Sequence, residues 1–223
     1  IQNASTIVDF GADNFTISGT LTNNGTLELD GSQGTQNIGT MDTDSGEVLY
    51  NGAGGGSVLI SSFWNLRFAS ASQTFTVNPS QIDVYGSLYL DAGTLDGNGQ
   101  TIHIQGDFDS SAGGTYLHGD GEVRFFGSVT STIAGSNTFF DLVCDVGQDG
   151  GVVNAGVGKT ILFAGGETQT IDSGGGTFRV VGDGATAPAD ASATWPPGYT
   201  TSYITLGPAN PGTNWTLSVP SGA

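Results

Sequence analysis

The 223-residue chain is long enough for one long domain or two ordinary ones, yet only 36% of its residues are hydrophobic and 38 are glycine. Four Lys+Arg against 21 Asp+Glu leave a formal charge of −17, which excludes nucleic acid as a partner, because phosphate binding needs clustered cations, and disfavours anionic membrane surfaces. So few apolar residues serve a two-layer globule poorly and a thin coil well, since a coil has a narrow core and many corners, where glycine accepts positive φ at no steric cost.

No 3.6-residue apolar stripe persists anywhere, so the fold class is all-β. Residues 1–26 open with Ile7, Val8 and Phe10, then Phe15 and Ile17 alternate with Thr and Ser. Gly19-Thr20-Leu21 and Gly25-Thr26-Leu27 start a Gly-Thr-apolar theme. From there a strand triplet recurs: Leu27-Glu28-Leu29, Val48-Leu49-Tyr50, Leu66-Arg67-Phe68, Ile82-Asp83-Val84, Ile102-His103-Ile104, Val123-Arg124-Phe125, Leu142-Val143-Cys144, Ile161-Leu162-Phe163 and Phe178-Arg179-Val180. Each copy alternates apolar and polar residues, the period of a strand with one buried face. Such a repeat predicts stacked coils: a single-stranded parallel β-helix (β-solenoid) over 1–182 of about nine rungs, roughly 40 Å long at the usual strand spacing.

In this register the outer residues of each triplet point inward. The middle ones form an outward column of Glu28, Leu49, Arg67, Asp83, His103, Arg124, Val143, Leu162 and Arg179. Arg67 and Asp83 become neighbours able to pair. Leu49, Val143 and Leu162 then need something to cover them. Cys144, the single cysteine, falls on an inward position and reads as a small buried hydrophobe.

The composition changes beyond Gly182. Six of the seven prolines lie between Pro188 and Pro220, and no charged side chain follows Asp190. Trp195, Tyr199, Tyr203 and Trp215 sit in this 183–223 extension. Proline density limits it to short edge strands, at Ile204–Leu206 and Trp215–Val219. Its aromatics need a surface, either the Val143/Leu162 patch or a neighbouring subunit.

Turns of the form Gly86-Ser87-Leu88-Tyr89-Leu90, then Gly93-Thr94-Leu95-Asp96-Gly97-Asn98-Gly99-Gln100-Thr101-Ile102-His103-Ile104-Gln105-Gly106-Asp107-Phe108, resemble the right-handed parallel β-helix repeats of bacterial surface proteins. These are adhesins of the filamentous-haemagglutinin and autotransporter-passenger type. The resemblance covers residues 1–182 and implies a fold and an extracellular or cell-surface location. A chain starting at Ile1 instead of Met fits a removed export signal. Sequons at Asn3, Asn14, Asn24 and Asn214 would mark exposed glycosylation sites in a source that glycosylates.

Chemistry is sparse. Asp107 and Asp109 flank an inward Phe108, and Asp42 and Asp44 are similar; paired carboxylates of this kind carry acid/base work in glycoside cleavage, but aspartate is also a standard turn residue. Asp42-Thr43-Asp44-Ser45-Gly46-Glu47 has a calcium-loop flavour without the third ligand or the distal Glu, so weak calcium binding is the most it suggests, and no cofactor is expected. Asp96-Gly97-Asn98-Gly99 is a similar acidic turn. His103 and His118 are far apart and lack Cys or His partners for zinc. The expectation is a non-enzymatic structural subunit that self-associates head to tail into an extracellular filament, with Val143, Leu162, Trp195, Tyr199, Tyr203 and Trp215 as assembly contacts. The alternatives are a monomeric adhesin binding glycans through Tyr89 and the tail tryptophans, and, behind it, a polysaccharide lyase or hydrolase.

Overall fold

The computed structural model describes residues 1, 3–127 and 129–145, together with strands and adjoining residues at 148–149, 152–153, 161–164, 168–172, 177–181, 202–203 and 216–218. It is an all-β parallel solenoid of about seven turns. Each full turn carries up to three short strands, one per face. The first face stacks Ile7–Asp9, Thr26–Leu29, Glu47–Tyr50, the start of Asn65–Val77, the start of Leu88–Asp96, Phe108–Asp109, Ser131–Ala134 and Ile161–Phe163. The third stacks Ser62–Phe63, Gln81–Val84, Thr101–Ile104, Glu122–Phe125, Asp141–Asp145 and Thr177–Val181. Between them, a second face stacks Gly56–Val58, the end of Asn65–Val77, the end of Leu88–Asp96 and Thr115–Leu117.

The repeated triplet therefore belongs to two faces. Leu66 pairs with Leu88 and not with Ile82, while Ile82 begins a separate ladder through Ile102, Val123, Leu142 and Phe178. Ile161 returns to the first face, opposite Ser131. This is why nine triplets make about seven turns, about 30 Å of ladder. It also separates residues expected side by side. Arg67 lies against Leu49 and Tyr89, whereas Asp83 lies against Ser62 and His103. Val143 and Leu162 occupy different faces.

Alternation places the outer triplet residues inside as expected. Leu27, Leu29, Leu66, Phe68, Ile82, Val84, Ile102, Ile104, Val123, Phe125 and Leu142 are all fully buried, and Cys144 joins them. Two aromatic clusters thicken the core. Tyr50, Phe68 and Phe75 sit with centroids 5.3–5.6 Å apart; Phe108, Tyr116 and Phe139 are 5.5–5.8 Å apart. Each such ring contributes roughly 1.5–3 kcal/mol through burial. Glycine is required where a corner rides on the turn below: at Gly46, φ is +78° and a Cβ would lie 2.0 Å from the Asn23 carbonyl oxygen.

At the far end the tail contributes two strands. Ser202–Tyr203 pairs antiparallel with Ile161–Phe163, and Thr216–Ser218 pairs antiparallel with Thr168–Ile171. The tail strands thus begin before Ile204 in one case and fall within the expected Trp215–Val219 in the other. The expected boundary at 182–183, and Trp195, Tyr199, Asn214 and Trp215, lie outside the described residues, as do the side chains of Leu162 and Tyr203.

Candidate functional site

The acidic pairs are built into turns. Asp109 Oδ1 accepts hydrogen bonds from the Ser111 backbone N–H at 2.9 Å and its hydroxyl at 2.6 Å. Asp107 Oδ1 accepts from the Thr132 N–H of the next turn at 2.7 Å. Asp42 Oδ1 accepts from the Asn23 N–H at 2.8 Å, and Asp44 from the Ser45 hydroxyl at 3.0 Å. Asp96 closes its own loop through the Asn98 N–H at 2.9 Å. A carboxylate that holds a corner in this way performs the turn chemistry for which Asp is favoured. Among the described residues, no group of three or more His, Cys, Asp and Glu is placed to hold a metal.

The outward rows carry ion pairs. Arg67 reaches Glu47 at 2.8 Å and Asp91 at 2.6 Å, and its guanidinium lies 4.2 Å above the Tyr89 ring. Partial burial works against the Arg67 charge, but the hydrogen bonds to Glu47 and Asp91 and their charges outweigh it and raise its pKa. One face of Tyr89, the surface aromatic expected to stack on a sugar, is thereby engaged. On the third face His103 Nδ1 is 3.0 Å from Asp83. Burial would raise the Asp83 carboxyl, yet the hydrogen bonds with His103 and Gln81 and the charge of His103 hold it below the usual carboxylate range. His118 sits 3.5 Å from Asp172 and accepts the Asp120 N–H on Nδ1 at 3.0 Å.

Val143 stands on the outward row between Arg124 and Arg179, but it is 0% exposed. The cover that an apolar residue on an outward row needs is present. Asn3 and Asn14 are exposed, while Asn24 is half-buried.

The feature that sequence reading passed over is a break in the second face. Gln36–Met41 pairs on one side with Phe15–Leu21 and, among the described residues, has no strand partner on the other. Between it and the next turn lies a cleft of about 390 Å³, lined by residues 36–41, Thr43, 59–62 and Tyr85. Gln36 and its buried neighbour Gln33 occupy places in the coil where the alternation calls for apolar residues. Gln36 Nε2 donates to the Ser57 carbonyl at 2.7 Å, and its Oε1 accepts from the Tyr50 hydroxyl at 2.7 Å and the Leu59 N–H at 3.3 Å. Burial pushes the Tyr50 phenol well above its ordinary pKa, so it remains a neutral donor. The signal was two glutamines three residues apart in an otherwise alternating stretch.

The fold and its surface define an acidic parallel β-solenoid, with described carboxylates such as Asp42, Asp96, Asp107 and Asp109 engaged in corners and Glu47, Asp83 and Asp91 in outward pairs. No family model, curated protein or solved structure matches the chain.

Proposed function

We propose that the protein is a non-enzymatic structural rod, extracellular or on a cell surface, that self-associates end to end. The observation that carries this reading is the difference between the two ends. Ile7–Asp9 and Phe15–Leu21 each leave one edge without a partner among the described residues, and Ile7 is 62% exposed. Unpaired edges with apolar side chains are templates for another chain. The opposite end carries antiparallel tail strands on two faces. Unlike ends favour a heterologous contact, which propagates into a fibre, with the extension beyond residue 182 contributing to the joint. The likeness of the repeats to surface adhesins of the filamentous-haemagglutinin and autotransporter-passenger type supports the location.

Electron microscopy and light scattering over a range of salt concentrations test it. Charge repulsion between copies at −17 is screened by salt, so rods should lengthen as salt rises. Ile7→Lys, which sets a charge on the open edge, should shift the population to monomers, and deletion of 185–223 should change the assemblies. A monomer at every salt concentration rejects the proposal and leaves the monomeric adhesin in its place.

A further inference from the structure

We propose that the cleft beside Gln36 is a strand-insertion site that takes an uncharged extended peptide. This goes beyond the end-to-end contact, since the cleft lies inside the rod and not at its edge.

The argument starts from the backbone. In a strand, successive residues aim their N–H and C=O groups at opposite neighbours. The Ser61 carbonyl accepts from the Asp83 N–H at 2.8 Å and the Phe63 carbonyl from the Tyr85 N–H at 2.9 Å. Ser61 and Phe63 are therefore committed to the turn above, and Ser62 between them aims its backbone groups at the cleft. No backbone hydrogen bond crosses from 37–43 to 59–62.

The Gln36 carboxamide shows what such groups accept. The Ser57 carbonyl and the Leu59 N–H flank Val58, and in a parallel ladder these two groups would bond one residue of the turn below. The Gln36 side chain bonds both, so it does the work of one peptide unit. Beyond Gln36 no side chain continues the series, and the opening begins.

Size and charge narrow the occupant. At about 390 Å³ the cleft falls within the range of ligand pockets, roughly 300–1,000 Å³. No charged residue lines it, although the molecule carries −17, so the field repels an acidic peptide and nothing inside neutralises a basic one. Ile38, Met41, Leu59 and Ile60 provide apolar contacts among Ser, Thr and Asn. Main-chain bonds to both edges, with apolar and hydroxyl side chains alternating along the insert, is the chemistry of strand addition.

The test uses the full chain and a capped Val-Thr-Val-Thr-Val peptide, read by amide hydrogen exchange. The amides of 37–41 and 60–62 should slow about tenfold at peptide concentrations near ten times its Kd, with no change at Thr101–Ile104. A peptide with proline at its centre should give no protection. Ser62→Pro removes an N–H aimed at the cleft, and Ser61→Trp fills the opening; each should abolish protection while circular dichroism stays that of the parent. Absence of protection at saturating peptide overturns the proposal. So does protection that survives Ser61→Trp, or protection by a neutral oligosaccharide in place of the peptide.

Discussion

Residues 65–125 and residues 26–63 are built from the same alternating strands but stack differently. From Asn65 to Phe125 the inward positions of the strands are apolar except Ser70, whose hydroxyl donates to the Gly52 carbonyl at 2.7 Å, and each turn pairs with the next on all three faces. Between Gln36–Met41 and the turn above, the second face has no ladder, and Gln36 stands where the core should continue. A similar pattern recurs further along. Thr115–Leu117 and Asn137–Phe139 are not paired, and there the buried Asn137 donates to the Gly135 carbonyl at 2.9 Å and accepts from the Ser110 hydroxyl at 2.8 Å. A buried amide must be hydrogen-bonded or its burial is costly. Both amides find backbone and hydroxyl partners together, and the ladder is open next to them. An apolar residue asks for nothing but contact and lets the ladder close.

That comparison can be broken most forcefully from the closed side. Phe68 touches both Tyr50 and Phe75, so Phe68→Ala should lower stability by about 3–5 kcal/mol in denaturant unfolding, with loss of cooperativity across the turns. A loss under 1 kcal/mol would mean the turns do not share one core. The open side should respond less. Gln36→Leu leaves the Tyr50 hydroxyl and the Leu59 N–H unsatisfied and should cost about 1–3 kcal/mol. Adding Tyr50→Phe should recover part of that loss, and a strictly additive double variant would argue against the coupling. The smallest effect sharpens the rule that unpaired polar atoms do not belong in the closed region. The Tyr116 hydroxyl is buried and has no hydrogen-bond partner among the described residues, and burial, followed by the charge of Asp96, raises its pKa. Tyr116→Phe should leave thermal stability unchanged or raise it by about 1 kcal/mol; a clear loss would reveal a partner for that oxygen.

The third face was legible as a repeat because Ile82, Ile102, Val123, Leu142 and Phe178 do stack, and so was the first as far as Leu66. The slips came at the step from Leu66 to Ile82 and again at Ile161, which returns to the first face between Leu142 and Phe178. A strand on one face and a strand on another meet the same demand, apolar inward and polar outward, so their residues look alike. Gly-Glu-Val-Leu-Tyr-Asn-Gly at 46–52 and Gly-Glu-Val-Arg-Phe-Phe-Gly at 121–127 are alike for this reason, although Val48 lies on the first face and Val123 on the third. Val143 was read as an apolar residue on an outward row in need of cover, and it is fully covered; what packs over an outward row is something no local pattern records.

The sequence by itself determined the class of fold, the inward set of side chains, the burial of Cys144 and the use of aspartate at corners. Each follows from short-range alternation and from the turn preferences of individual residues, which act within a few positions. Only the tertiary structure decided which face each strand joins, which carboxylate meets Arg67, and where the ladder opens beside Gln36. Those depend on corner lengths accumulated over a whole turn, and on pairings between residues some 20 positions apart, beyond the reach of any local preference.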